Sequence, residues 1–251
     1  MIVREADGVV RVKLQRPDKG NALSSETVAG LADAVAAATR SHARLFVIEG
    51  EGRHFCTGFD LSNVAEEDDD RLLARFVRVE LLLQAVHAAP FETLALAHGR
   101  TMGAGADLFC ACNHRWVAGD ASFAFPGAAF GIVLGTARLG DTVGARRARQ
   151  WVESGATIDT AEALEAGLAT RRIEPAEAEA GIAALASRCK RLDDDTTAGL
   201  QRALDRVRRP RGDAGAGEDL MQLVVSAARP GLRARIAAYR ASLSANPSPR
   251  K

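Results

Sequence analysis

"FCTGFDLS" (residues 55–62) sets Gly58 between small and aromatic residues and follows it with an Asp-Leu pair. Just before it, "ARLFVIEGEG" (43–52) is a short apolar run ending in glycines, which reads as a buried strand. A helix is expected to follow, so the segment reads as strand, glycine turn, helix. The first N–H groups of a helix have no intrahelical partner, and glycine lets the main chain turn tightly and a ligand approach closely. The pattern recurs in "FETLALAHGRTMGAGADLFCACNHRWVAG" (91–119): an apolar strand, a Gly-rich turn, a helix and a further strand. Two such turns, about 45 residues apart, offer backbone donors suited to an anion or a developing oxyanion. Periodicity alone does not show that they meet in space.

Working outward, "VVRVKL" (9–14) alternates apolar and charged residues as a half-buried strand does, and "RPDKGN" (16–21) supplies a turn. "SSETVAGLADAVAAAT" (24–39) reads as a helix capped near Ser24, with Val28, Leu31, Val35 and Ala38 on one face. The acidic run "EEDDD" (66–70) reads as a solvated loop or helix start. It precedes an amphipathic stretch carrying Leu72, Leu73, Phe76, Val79, Leu82, Leu83 and Val86.

"FAFPGAAFGIVLGTARLGDTVG" (123–144) is expected to be loop-rich, and "ATIDTAEALEAGLATRRI" (156–173) a helix and strand capped by Asp159 or Thr160. From about residue 177 the chain reads as helical, interrupted by "RRPRGDAGAG" (208–217), with a tail from 245 expected to fray. Alternating strands and helices predict an α/β class with a largely parallel sheet. Residues 1–188 are expected to form the core and 189–251 a helical C-terminal segment.

The 33 basic and 32 acidic residues leave a net charge of +1, which gives no strong field for nucleic acid. Cys56, Cys110, Cys112 and Cys189 are too few and too irregular for a disulfide framework or a four-ligand zinc site, and read as reduced thiols. His54, His98 and His114 have no partner at metal or triad spacing, so no metal is expected. Arg4, Glu5 and Asp7 interrupt any signal-like apolar region, and no run reaches the roughly 18 apolar residues of a membrane span. A cytoplasmic protein with no membrane partner is expected. "GAGADL" lacks the third glycine of a dinucleotide fingerprint, Leu108 standing there, and no nucleophile elbow or P-loop is present.

"RPDKGNALS", "FCTGFDLS", "AHGRTMGAGADLFCACNHRWVAG", "ASFAFPGAAFGIVLG" and "TIDTAEALEAGLATRRI" follow one another in the order and at the approximate spacing of one family. Over about residues 1–175 the chain resembles the enoyl-CoA hydratase/isomerase (crotonase) superfamily. The resemblance implies a crotonase (ClpP-like) spiral of repeated ββα units with a C-terminal helical oligomerisation segment, forming a homotrimer or a dimer of trimers. It implies an acyl-CoA thioester substrate in fatty acid metabolism and no cofactor beyond the coenzyme A of that substrate.

It further implies that the N–H groups of Phe59 and Ala104 point at the thioester oxygen, with Gly58 and Gly103 shaping the turns. Asn21, Ala22, Asp60, Leu61 and Ser62 would line the pantetheine and adenine region, with Gly127 also at the site and Arg233 near the CoA phosphates. Asp60 equally suits the first turn of a helix.

Hydratases of this family use two glutamates. The first position is Asp107 here, one carbon shorter and so about 1.5 Å less in reach; the second is Gly127, which supplies no acid or base. In some relatives an aspartate stands later, where this chain has Gly135, and Asp141 just beyond could turn inward. Hydration of trans-2-enoyl-CoA with Asp107 as acid/base is the leading expectation. Isomerisation or another one-carboxylate reaction of a CoA thioester, and non-catalytic acyl-CoA binding, are the alternatives.

Overall fold

The first strand pair is a hairpin that the pattern reading missed. In the computed structural model, which describes residues 1–208 and 213–245, β1 (Ile2–Ala6) runs antiparallel to β2 (Val9–Leu14). Asp7 and Gly8 both take positive φ, 53° and 75°, as a two-residue turn between twisted strands demands. Val10, Val12 and Leu14 alternate inward. Ser24 caps α1 (Ser25–Arg40) by accepting from the Thr27 N–H, and Val28, Leu31, Val35 and Ala38 form its buried face, as expected.

β3 (Leu45–Gly50) then lies parallel to β2. The helix expected straight after Gly58 is not there. Residues 51–63 run as loop, then a 3-10 turn (Val64–Glu66) leads to α2 (Asp69–His87). The acidic run is the reason: Asp68, ten residues past Gly58, caps α2 by accepting from the Arg71 N–H. β4 (Glu92–Met102), α3 (Ala104–Ala111) and β5 (His114–Ala124) follow as the repeated pattern predicts.

The stretch expected as loop folds into a 3-10 turn (Pro126–Phe130) and α4 (Thr136–Val143). Its Gly and Pro residues stand at boundaries rather than inside elements. Pro126 opens the turn, Gly135 precedes α4, and Gly144 separates α4 from α5 (Ala145–Ser154). Asp159 caps α6 (Thr160–Glu165) through the Glu162 N–H, and β6 (Arg171–Ile173) completes the sheet.

Strands lie in chain order β1-β2-β3-β4-β5-β6, all parallel after the first hairpin. On β3, Leu45 and Val47 face one side while Phe46 and Ile48 face the other, so both sheet faces are buried as a parallel sheet requires. The larger core joins the sheet to α1, α2 and α3. A smaller one joins Leu45, Val47, Leu94, Leu96 and Trp116 to Ile182 and Leu185 of α7 (Ala178–Cys189). The β4–β5 register shifts between Ala97 and Gly99. Beyond it Gly99–Met102 pair with Ala121–Ala124, and single bridges Leu23–Phe59, Cys56–Thr101 and Phe123–Ile158 continue a second ribbon. Each winding of the chain thus adds a strand to the sheet, a rung to this ribbon and a helix outside it.

After α7 come α8 (Asp194–Arg208), α9 (Asp213–Ala227) and α10 (Leu232–Ala245). Gly215 and Gly217 lie within α9, so the expected interruption is narrower than its composition suggests, and residues 209–212 and the tail from 246 lie outside the described residues. Leu223, Leu232 and Ile236 pack against Leu72 and Phe76 of α2 and against Phe130 and Ile132. Asp69 accepts from the N–H groups of Gly231, Leu232 and Arg233 at 2.8–3.0 Å and so closes the start of α10. Among the described residues, no helix is long and apolar enough to cross a membrane.

The approach of α3 to the first turn leaves no room for a methyl group: a Cβ on Gly105 would lie 2.3 Å from the Cys56 carbonyl oxygen and 2.8 Å from its Sγ. Gly105→Ala is therefore expected to lower stability by about 1–3 kcal/mol, as overpacking a filled core does. Its urea midpoint should fall with the slope of the transition unchanged.

Candidate active site

The two glycine turns meet. Gly58 has φ +100°, and a Cβ there would lie 2.7 Å from the Met102 carbonyl oxygen and 3.4 Å from the Ala104 nitrogen. Only a glycine lets these two stretches of main chain touch. Leu23 N–H donates to Gly58 O at 2.8 Å and Asp60 N–H to Leu23 O at 3.1 Å, so in this parallel bridge the Phe59 N–H points away from Leu23. Ala104 is the first residue of α3, preceded by Gly103 at φ 50° and ψ −127°, whose own N–H donates to Ala124 O. Among the described residues, neither the Phe59 nor the Ala104 N–H has a backbone acceptor. The Phe59 ring is held by α2, stacked on Phe76 at 4.1 Å between centroids, with the Arg75 guanidinium 4.2 Å from the ring centre. Arg75 also donates to Asp60 O, which fixes the chain on the far side of Phe59.

Asp107 lies in the first turn of α3, three residues on from Ala104 and hence on a neighbouring part of the same helix face. It is 5% exposed, and among the described residues its Oδ1 has no hydrogen-bond partner. Burial pushes its carboxyl well above the usual carboxylate range; the charge of Arg138 works against that shift and the charge of Glu80 adds to it. Gly135 covers the carboxyl: with φ +65°, a Cβ there would lie 2.2 Å from Oδ1. Gly127 sits in the adjoining 3-10 turn, whose Pro126 Cδ lies 3.8 Å from where a Gly103 Cβ would be. It places no titratable group at the site. Asp141 is on the exposed side of α4, because the buried positions of that helix are Arg138 and Leu139, so it does not turn inward.

Glu80 and Arg138 are the residues the pattern reading missed. Glu80 is fully buried and Arg138 is 2% exposed; Arg138 Nη1 donates to Oε1 at 2.9 Å, and Nη2 pairs with Oε2. The signal was present, since Glu80 falls four residues after Phe76 and three before Leu83 on the apolar stripe of α2. A carboxylate there must find a buried partner.

The remaining candidates fall into two groups. Asn21, 1% exposed, gives both amide donors to Glu51 O and His54 O and accepts from the Arg16 N–H, so its side chain ties loops together. Its neighbour Ala22 accepts from Arg16 through its carbonyl. Asp60 is not a helix first-turn acid, because no helix starts there; it pairs with Arg16 at 2.7 Å and accepts from the Ser62 N–H. Burial works against the Asp60 charge, but the bonds from Ser62 and Arg16 outweigh it and hold the carboxyl below its usual range. Leu61 is half-buried against the C-terminal helices, Ser62 is exposed, and Arg233 stands exposed at the start of α10 beside Asp69.

His54, His98 and His114 each have a partner within the protein. His54 Nδ1 accepts from the Arg100 N–H, His98 bonds Gly52 O, and His114 pairs with Glu92 at 2.9 Å. Burial raises the thiols of Cys56, Cys110 and Cys112 to about 12, which keeps them protonated and inert.

Residues 4–221 match the family model described as enoyl-CoA hydratase/isomerase. The chain belongs to that family. The probable enoyl-CoA hydratase echA6 of Mycobacterium bovis is 36% identical over 189 residues, covering 73% of this chain and 75% of that protein. Ethylmalonyl-CoA decarboxylase of Mus musculus is 28% identical over 181 residues, 70% of this chain and 56% of the mouse protein. The structure of a Bordetella parapertussis protein assigned as an enoyl-CoA hydratase/isomerase superposes with a TM-score of 0.91 at 42% identity, covering 96% of this chain and 98% of that one. The crotonase fold implied by the sequence motifs is the fold of this family member.

Because the folded-state pKa of Asp107 is raised, its contribution to stability is fully present below the unfolded value of about 4 and is lost as pH rises through the folded value. Asp107→Asn cannot ionise. It should therefore gain stability relative to the parent as pH is raised from about 4, read as a growing difference in urea midpoint.

Proposed function

We propose that this chain binds an acyl-CoA thioester with its carbonyl oxygen between the N–H groups of Phe59 and Ala104 and hydrates trans-2-enoyl-CoA, with Asp107 as the single proton carrier. The observation that carries this reading is the contact at Gly58, which brings the two unsatisfied donors together. When water adds to C3 of an enoyl thioester, electron density moves to the thioester oxygen, and two fixed dipoles stabilise the resulting enolate without having to reorient. Asp107 rests as a neutral acid. It gives its proton to C2 while the hydroxyl of water bonds to C3, and the proton left by that water returns to the carboxylate. A resting acid suits this order of events better than isomerisation, which starts by removing a proton from C2.

A second reading is favoured by Gly127 and by the name of one relative, ethylmalonyl-CoA decarboxylase. Loss of CO2 from a 2-carboxyacyl-CoA leaves the same enolate and needs no base, only the two donors and one acid to protonate C2. The family resemblance carries the proposal of a homotrimer or dimer of trimers, and Met221 and Val225, 54% and 61% exposed and one turn apart on α9, are apolar surface open to a second copy.

Turnover of short and medium trans-2-enoyl-CoA thioesters, with CoA-ester binding measured on the same samples, tests the assignment. Asp107→Asn should lose roughly 100-fold or more in kcat, the scale of general acid–base catalysis, while binding survives. Gly58→Ala, whose Cβ would press on Met102 O, should lose on the order of 10²- to 10³-fold in kcat/KM through displacement of the donors. CO2 release without hydration would establish the second reading. Binding with neither reaction would replace both with a binding role.

A further inference from the structure

Asp107 is held from two sides. Its backbone N–H donates to Gly103 O in the first turn of α3, and its side chain runs out against Gly135, the residue that precedes α4. A Cβ at Gly135 would lie 2.2 Å from Oδ1, 2.6 Å from Cγ and 3.0 Å from the Asp107 Cβ, so the C–H bond that a side chain would replace aims at the carboxyl. Oδ1 is buried and has no hydrogen-bond partner among the described residues, and the Gly135 α-carbon lies over it. The segment that carries Gly135 has little freedom to retreat. Upstream, Ile132 is buried and its N–H donates to Gly127 O at 2.9 Å, the Val133 N–H donates to Ser226 Oγ at 3.0 Å, and Arg229 and Arg235 both donate to Gly131 O. Downstream, Gly135 O accepts from the Leu139 N–H, and Arg138 is gripped by Glu80. The carboxyl, at the free end of a short side chain, is the part that must move when anything is added at 135.

We propose, on the reading of Asp107 as the proton carrier of the site, that Gly135 is its positioning residue: the bare α-carbon seals Oδ1, so that the proton is exchanged with substrate through Oδ2. A neutral carboxyl can hold its proton on either oxygen, and rotation about its bonds exchanges the two. With Oδ1 closed off, one oxygen and one direction remain for transfer, which is the fixed geometry that a positioned acid needs. Glycine allows this because it brings no side chain into the carboxyl and adopts φ +65° freely. A methyl group at 135 would rotate the carboxyl and turn Oδ2 away from the substrate carbon. A displacement of about 1 Å is enough to cost on the order of 100-fold in rate.

Two alanine variants separate the contact from the backbone strain that comes with it. Gly135→Ala carries both; Gly155→Ala, at φ +62° with nothing within 4 Å of its Cβ, carries the strain alone. With trans-2-enoyl-CoA as substrate, kcat of Gly135→Ala should fall roughly 100-fold with KM little changed, while Gly155→Ala keeps the parent kcat and KM. The contact itself is read without turnover, in the urea midpoint. Gly135→Ala should lower the midpoint further than Gly155→Ala does in the parent, and by a similar amount once Asp107→Ala has removed Cγ and Oδ1. Parent kcat in Gly135→Ala, or a midpoint loss that is the same with and without the Asp107 carboxyl, would overturn the proposal. Should Gly135→Ala fail to fold, the double variant Asp107→Ala with Gly135→Ala decides: restored folding upholds the contact, and folding still absent overturns it. If the parent hydrates nothing while the midpoints follow this pattern, Gly135 still seats the carboxyl and the reaction assigned to Asp107 is what falls.

Discussion

Main chain touches main chain at Gly58, and the rest of the site depends on that contact. The Met102 carbonyl lies where a side chain at position 58 would have to go. The first turn is thereby held against the start of α3, and the N–H groups of Phe59 and Ala104 become neighbours although 45 residues separate them in the sequence. Bonds elsewhere serve to keep the crossing in place. Leu23 fastens the first turn on one side, Ala124 fastens Gly103 on the other, and Met102 donates to Cys56 O between them. In the reaction proposed above, dipoles fixed in this way would not have to reorganise when charge arrives.

α2 connects the donors to the acid. Phe76 and Arg75 clamp the ring of Phe59 from one part of the helix, and Glu80, one turn further, grips Arg138 of α4, the helix that begins beside the Asp107 carboxyl. A displacement of α2 would alter the direction of a donor and the position of the helix beside the acid together. Ion pairs buried this deeply gain little net stability from their own attraction, since desolvation offsets it.

Much of the fold was legible in the residues. The alternation at 9–14, the capped helix beginning at Ser24 and the repeated strand–glycine–helix order each state a local preference that the packing then agrees with. The misreadings have local causes. No helix follows Gly58, because the Asp60 carboxylate is taken up by Arg16 and the Ser62 N–H while Asp68 makes the capping bond with the Arg71 N–H, and the Pro and Gly residues of 123–144 serve as boundaries of short helices that composition alone reads as loop. For the site, the glycines pointed to the two turns and the family resemblance to Asp107, but the meeting of the two turns is a long-range fact that periodicity does not contain. Asn21 and Asp60 show the reverse limit. Both belong to a motif shared with the family, yet their side chains are engaged within the protein, the first with loop carbonyls and the second with Arg16.

Asp69 joins residues far apart in time as well as in sequence. Its carboxylate receives three N–H groups from residues 231–233, so the start of α2 and the start of α10 share one anion. While the chain leaves the ribosome, the apolar face of α2 at Leu72 and Phe76 is covered first by Val64, Phe130 and Ile132, and completed only when Leu223, Leu232 and Ile236 arrive. The ring of Phe59 leans on that same Phe76. A nascent chain stalled before residue 231 would therefore carry both glycine turns while lacking the Asp69 and Leu232 contacts that hold the start of α2 in place.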